Sequence, residues 1–371
     1  MAALQTYGRL KHCLMQKGVF IPSDLLDRKE FSAILTSDKV EENITFAFCN
    51  EFFVKTFVTP NQDAEAKVSL RDGNLMLKSE RLMVEVDVVP PPCFLLKHSN
   101  SRDPVSQNVD LDGVCLNVFL RIVRGNKLNL SQESVLSVIQ AAFEEGTSDL
   151  VQLNLDFYDT DDRGFFKLTP LIENIRKKFN SFVALRGFPP KSLRVIDSIY
   201  ASGIDLLNFP LEGFTHSEKL PNISREVLAS LDYAAGVFPQ GAVSSEIAFD
   251  SIDKMKEKIN RLTSIGTIPL VKLPRDLQKD PTHFNYVEEI AQHLKVSAQK
   301  NKLNLRWLYP SSEFLTPLDA AFFTEDPQKA RLAVRPHYHS FLGRKASEGF
   351  TALRRKLRVK NISDSFESAG L

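Results

Sequence analysis

Residues 241–276 read GAVSSEIAFDSIDKMKEKINRLTSIGTIPLVKLPRD. An apolar run at 242–249 is followed by a polar segment with Ile252, Met255, Ile259 and Leu262 at helical spacing. Ser264-Ile265-Gly266 ends that helix, and a second apolar run fills 267–273. Two strands joined by a helix of this length lie parallel, because parallel strands need a crossover. The second strand ends near Lys272, Arg275 and Asp276, and the first at Asp250. In a (β/α) barrel that end of the strands is the ligand face.

The same unit recurs outward from this stretch. Strands are expected at 114–123, 150–157, 181–185, 204–209 and 303–308, giving seven with the two above. Ser131 is placed to cap the first crossover helix, and Gly146 to stop it. Pro170 stands at a favoured first-turn position, and Gly203 and Gly236 close later helices. Such a series makes either a full or partial (β/α) barrel or a doubly wound open sheet.

Upstream, residues 1–30 carry an intermittent helical face. From residue 43 the pattern turns to period two, with ITFAF, EFFVKTFV, AKVSL and LMVEVDVV. Asp72-Gly73-Asn74 between two short runs is a hairpin signal. The expected organisation is a small antiparallel α+β domain at 1–100, a linker at 101–113, the barrel at 114–310 and a helical extension at 311–371. Near its end this extension has a basic helix with Arg344, Lys345, Arg354, Arg355 and Lys356.

The formal net charge of +1 gives no whole-molecule field for nucleic acid or a membrane surface, and neither is expected as a partner. No apolar run approaches the roughly 20 residues that span a bilayer. Residues 1–18 lack a signal-peptide core. Cys13, Cys49, Cys93 and Cys115 are scattered, so reduced thiols in a cytoplasmic protein are expected. No GxGxxG, Walker A, GxSxG or HExxH pattern occurs.

Three phrases carry a resemblance: FPPKSLRVIDSIYASGIDLLNFPLEGF at 188–214, NISREVLASLDYAAGVFPQGAVSSEIAF at 222–249, and SIDKMKEKINRLTSIGTIPLVKLPRD at 251–276. In layout and order, residues 114–309 resemble the radical S-adenosylmethionine (radical SAM) barrels, most closely the biotin synthase-like branch. The resemblance implies a barrel of that type. It also implies three cysteines spaced CxxxCxxC after the first strand, holding a [4Fe-4S] cluster. Here that loop is RIVRGNKLNLS, 121–131, with no cysteine. Thiolates are the ligands such clusters need. The glycine-rich turn expected after the second strand is Asn154-Leu155-Asp156-Phe157-Tyr158, and Phe249 stands where the family's fifth strand is small. No cofactor and no metal are therefore expected, and radical SAM chemistry is not.

Arg124, Asp156, Tyr158, Arg186, Glu212, Glu246, Lys272, Arg275 and Arg306 fall at or near the strand ends and form the candidate ligand-binding set. They fit either a pocket for an anionic small molecule or ion pairs plugging a disused one. Asp159, Asp161 and Asp162 open like an EF-hand loop, but Arg163 and Pro170 break the pattern, so a solvated loop is expected. His216, His337 and His339 are read as ordinary loop histidines. Two functions follow as expectations. One is a cluster-less, non-catalytic subunit acting with a protein partner or as a homo-oligomer, in cofactor maturation or beside a true radical SAM enzyme. The other is an enzyme or binder using the barrel mouth for an anion. Filling of the mouth discriminates them.

Overall fold

The computed structural model of the chain describes residues 6–28, 31, 43–48, 52–79, 82–89, 92–98, 103–123, 125, 127–148, 150–179, 181–212, 223–273, 283–324, 330–332 and 334. Thr6 caps α1 (Tyr7–Lys17) by accepting from the Arg9 amide. A short α2 (Ser23–Leu26) follows. β1 (Asn43–Phe48), β2 (Phe52–Phe57) and β6 (Asp87–Val89) form one antiparallel sheet. β3 (Ala66–Arg71), β4 (Asn74–Ser79) and β5 (Leu82–Glu85) form another. The expected hairpin joins β3 to β4. Asp72 and Gly73 have φ of 53° and 87°, the left-handed pair that a tight type I′ turn requires. Leu10 and Leu14 of α1 pack with Phe46, Phe52 and Val54 in one core.

Residues 104–112, inside the stretch expected to be linker, are structured. After α3 (Cys93–Lys97) come α4 (Pro104–Asn108) and β7 (Val109–Asp112), which pairs antiparallel with β8 (Cys115–Leu120). A small hairpin, β9 (Ile122–Val123) and β10 (Lys127–Leu128), follows β8. The helix α5 (Gln132–Glu144) starts at Ser131, whose hydroxyl accepts from the Ser134 amide as expected. The chain then alternates β11 (Leu150–Leu155), α6 (Thr169–Lys178), β12 (Phe182–Arg186), α7 (Arg194–Ser202), β13 (Leu206–Asn208), α8 (Ile223–Val237), β14 (Val243–Ala248), α9 (Ile252–Ser264), β15 (Ile268–Lys272) and α10 (His283–Lys300).

β8, β11, β12, β13, β14 and β15 are parallel neighbours in chain order. That order excludes the doubly wound alternative, in which strand order reverses at a switch point. Antiparallel β7 borders one side, and antiparallel β16 (Phe314–Leu315) the other. The eight strands curl into a half-barrel, with no pairing between the two edges among the described residues.

The strand expected at 303–308 does not form. Lys302 turns the chain with φ of 54°, and Asn304 caps a single 3-10 turn, Leu305–Trp307. The alternation of LNLRWL is real, but it serves a crossing segment that buries Leu305 and Trp307. The place beside β15 goes to β16 instead. Of the helix expected near 317–333, a 3-10 turn at Asp319–Phe322 is present. The basic helix, His216, His337 and His339 lie outside the described residues.

Candidate functional site

A parallel sheet covered on both faces usually reads as continuous apolar runs. Here the concave face alternates in polar groups. Val151, Leu153, Val183, Leu185, Leu207 and Ile247 are buried core residues, while Asn117, Gln152, Asn154, Arg186, Asn208 and Glu246 occupy the alternate positions. Period two sends these polar side chains inward together. Gln152 donates to Asn117 at 2.9 Å and to Asn154 at 3.0 Å. Arg186 grips Glu246 with two bonds, Nε to Oε1 at 2.6 Å and Nη2 to Oε2 at 2.8 Å. Asn208 adds a third, 2.8 Å to Oε1. Burial opposes charge on Arg186, but the hydrogen bonds and charge of Glu246 outweigh it and hold its pKa above the ordinary value.

A strap closes the open side. It begins at Asn304, whose carbonyl lies so close to Gly241 that a Cβ there would collide with it. Trp307 meets Phe182 edge-on at 5.5 Å. Tyr309 and Cys115 share a buried hydrogen bond, and burial drives both groups upward in pKa. Asp112 accepts from Ser311 Oγ at 2.7 Å and from the Ser312 amide at 2.6 Å. Phe314 then pairs with Lys272 at the carboxyl end of β15. The strap therefore crosses from the amino ends of the strands to their carboxyl ends. It leaves a cavity of about 50 Å³ between itself and the sheet, lined by Gln152, Asn208, Glu246, Trp307 and Tyr309 among others.

The candidate set separates accordingly. Arg186 and Glu246 meet. Glu212 turns to the Ala248 amide at 3.0 Å and to Lys258 at 2.8 Å. Asp156 accepts from the adjacent Phe157 amide, and Tyr158 lies under the Lys167 ammonium at 5.7 Å. Arg306 is exposed in the 3-10 turn, near where the strap meets Gly241, and is not brought to Arg186. Lys272 sits outside the filled interior. Arg124 and Arg275 lie outside the described residues. Phe157 packs edge-on against Phe188 at 4.9 Å, and Phe249 is partly buried on a cleft outside the interior.

The acidic loop is internally paired. Asp162 accepts from the Phe166 and Gly164 amides and from Thr160, and these bonds overcome burial to lower its pKa. Asp159 pairs with Arg163 and Lys191, and Asp161 with Lys191. Among the described residues, no group of three or more His, Cys, Asp or Glu is placed to hold a metal. The loop expected to lack a cluster site is the β9–β10 hairpin, and Cys115 is buried at the amino end of β8.

Sequence reasoning missed Lys11, Lys55, Asp110, Asp112, Asn208, Glu313 and Asp319. Asn208 carried a signal, a polar residue within the apolar LLNF run. The others carried none, since their partners are far away in the chain. Comparison with protein-family models, curated proteins and solved structures finds no match.

Proposed function

We propose that this chain is a cluster-free relative of the radical SAM barrels, acting as a non-catalytic cytoplasmic subunit with a protein partner or a second copy of itself. Cofactor maturation, or service beside a true radical SAM enzyme, is the setting that the resemblance implies. The observation that carries the reading is the strap from Asn304 to Phe314 lying across the concave face, over the Arg186–Glu246 pair. Chemistry inside a half-barrel needs room there, and the remaining cavity of about 50 Å³ holds a few waters. Exposed Phe119 near the end of β8, Val123 just after it, and Phe166 after β11 supply apolar contact surface.

The rival expectation, an anion held inside the mouth, loses its inward-facing cation to pairing: Arg186 is committed to Glu246. No helix among the described residues is long and apolar enough to cross a membrane. The test is anaerobic purification of the full chain, with iron and sulfide assay, sizing and identification of co-purifying proteins. A stable hetero- or homo-oligomer without iron is expected. A stoichiometric cluster on the isolated chain, or a strict monomer turning over a substrate, overturns the reading.

A further inference from the structure

A second, larger space lies outside the filled interior. It is a cleft of about 690 Å³ between β2 of the amino-terminal sheet and the carboxyl ends of β14 and β15. That volume is within the range of small-molecule pockets. Its walls divide by chemistry. Met15, Phe57 and Phe249 are apolar, while Lys55, Lys272, Ser312 and Glu313 are polar.

The polar groups are unequally committed. Lys55 is held by Asp110 at 2.9 Å. Lys272 has no hydrogen bond or ion pair among the described residues. The Ser312 hydroxyl is buried and has no hydrogen-bond partner among them, although its own amide is spent on Asp112. An unsatisfied buried hydroxyl destabilises the fold, so its retention calls for a partner. Charge then narrows the ligand. Lys272 is close enough to Glu313 to attract it without forming an ion pair, and Glu313 in turn feels Asp110 and Asp112, so these surroundings would repel a dianion and leave room for a single negative charge.

We infer that this cleft binds a small organic carboxylate, its acid group served by Lys272 and the Ser312 hydroxyl and its apolar body lying against Phe249 and Met15. The inference does not depend on the subunit reading, and it places the ligand outside the barrel interior.

Calorimetric titration of the full chain with octanoate, 3-phenylpropionate and indole-3-acetate tests it. At least one should bind saturably at one site, with 3-phenylpropanol, octanol and inorganic phosphate at least tenfold weaker. Lys272→Met should lose tenfold or more, Lys272→Arg should retain most binding, and Ser312→Ala should lose severalfold. Lys272 is exposed, so its variants report binding and not folding. Failure of all three acids, undiminished binding in Lys272→Met, or preference for phosphate overturns the inference. Saturable binding that follows this pattern sustains the inference whether the chain is a monomer or an oligomer, so its outcome is separable from that of the subunit reading.

Discussion

Lys11 and Asp319 form an ion pair at 3.0 Å with both side chains almost fully buried, 2% and 4% exposed. The ammonium also donates to the Ser311 carbonyl at 2.6 Å and lies over the Phe52 ring. Asp319 in turn accepts from the Thr316 amide and hydroxyl, both at 2.7 Å. One buried lysine from the first helix therefore fixes the end of the strap, and Phe322 stacks on Phe52 at 4.0 Å beside it. Breaking a buried pair strands the surviving charge. Lys11→Met or Asp319→Leu alone should cost about 3–5 kcal/mol in urea unfolding, and the double replacement less than the sum.

Gly241 has φ of +82° and faces the Asn304 carbonyl. Gly241→Ala adds left-handed strain and a backbone collision at the start of the strap. A loss of about 2 kcal/mol or more in urea unfolding is expected from the strain together with the displacement of Asn304. Gly73 also has positive φ, but nothing lies within 4 Å of its missing Cβ. Gly73→Ala should therefore cost clearly less in the same urea unfolding.

Burial, with Asp112 next, raises the Glu313 carboxyl pKa, against the pull of Lys55 and Lys272. The folded state thus holds this proton more tightly than the unfolded chain. Its contribution to stability should rise as pH falls through the folded value and level off near the ordinary 4.5. Above the folded value the ionised group is a liability. Glu313→Gln should remove that slope, leaving a flatter profile of urea midpoint against pH and equal or higher stability at pH 7. A steeper profile in the variant would contradict the assignment.

Cys115 is completely buried with its thiol pKa pushed up, whereas Cys93 is exposed. Iodoacetamide at neutral pH should label Cys93 in the native protein and Cys115 only on unfolding, read by peptide mass mapping. Native labelling of Cys115 would mean that the Tyr309 segment of the strap opens readily.

If Phe166 and Val123 contribute to partner docking, Phe166→Glu and Val123→Glu should each weaken capture of the partner about tenfold or more, without shifting the melting temperature. Unchanged capture by both would remove this surface from the subunit reading.

Local signals set the local elements. Period two placed β2 and β3, helical spacing buried Met255, Ile259 and Leu262, and Ser131 and Gly203 marked helix ends as read. Such signals act over a turn or two of chain, so they survive without knowledge of the rest. Pairing does not. Arg186 and Glu246 are 60 residues apart, and Lys11 and Asp319 are 308 apart. The LNLRWL run shows the limit most plainly: alternation marked burial correctly, yet in the tertiary structure β16 takes the edge of β15 and this run crosses the sheet. Whether the half-barrel held an open mouth or a filled one rested on that choice, because the segment that fails to become a strand is the one that fills the interior.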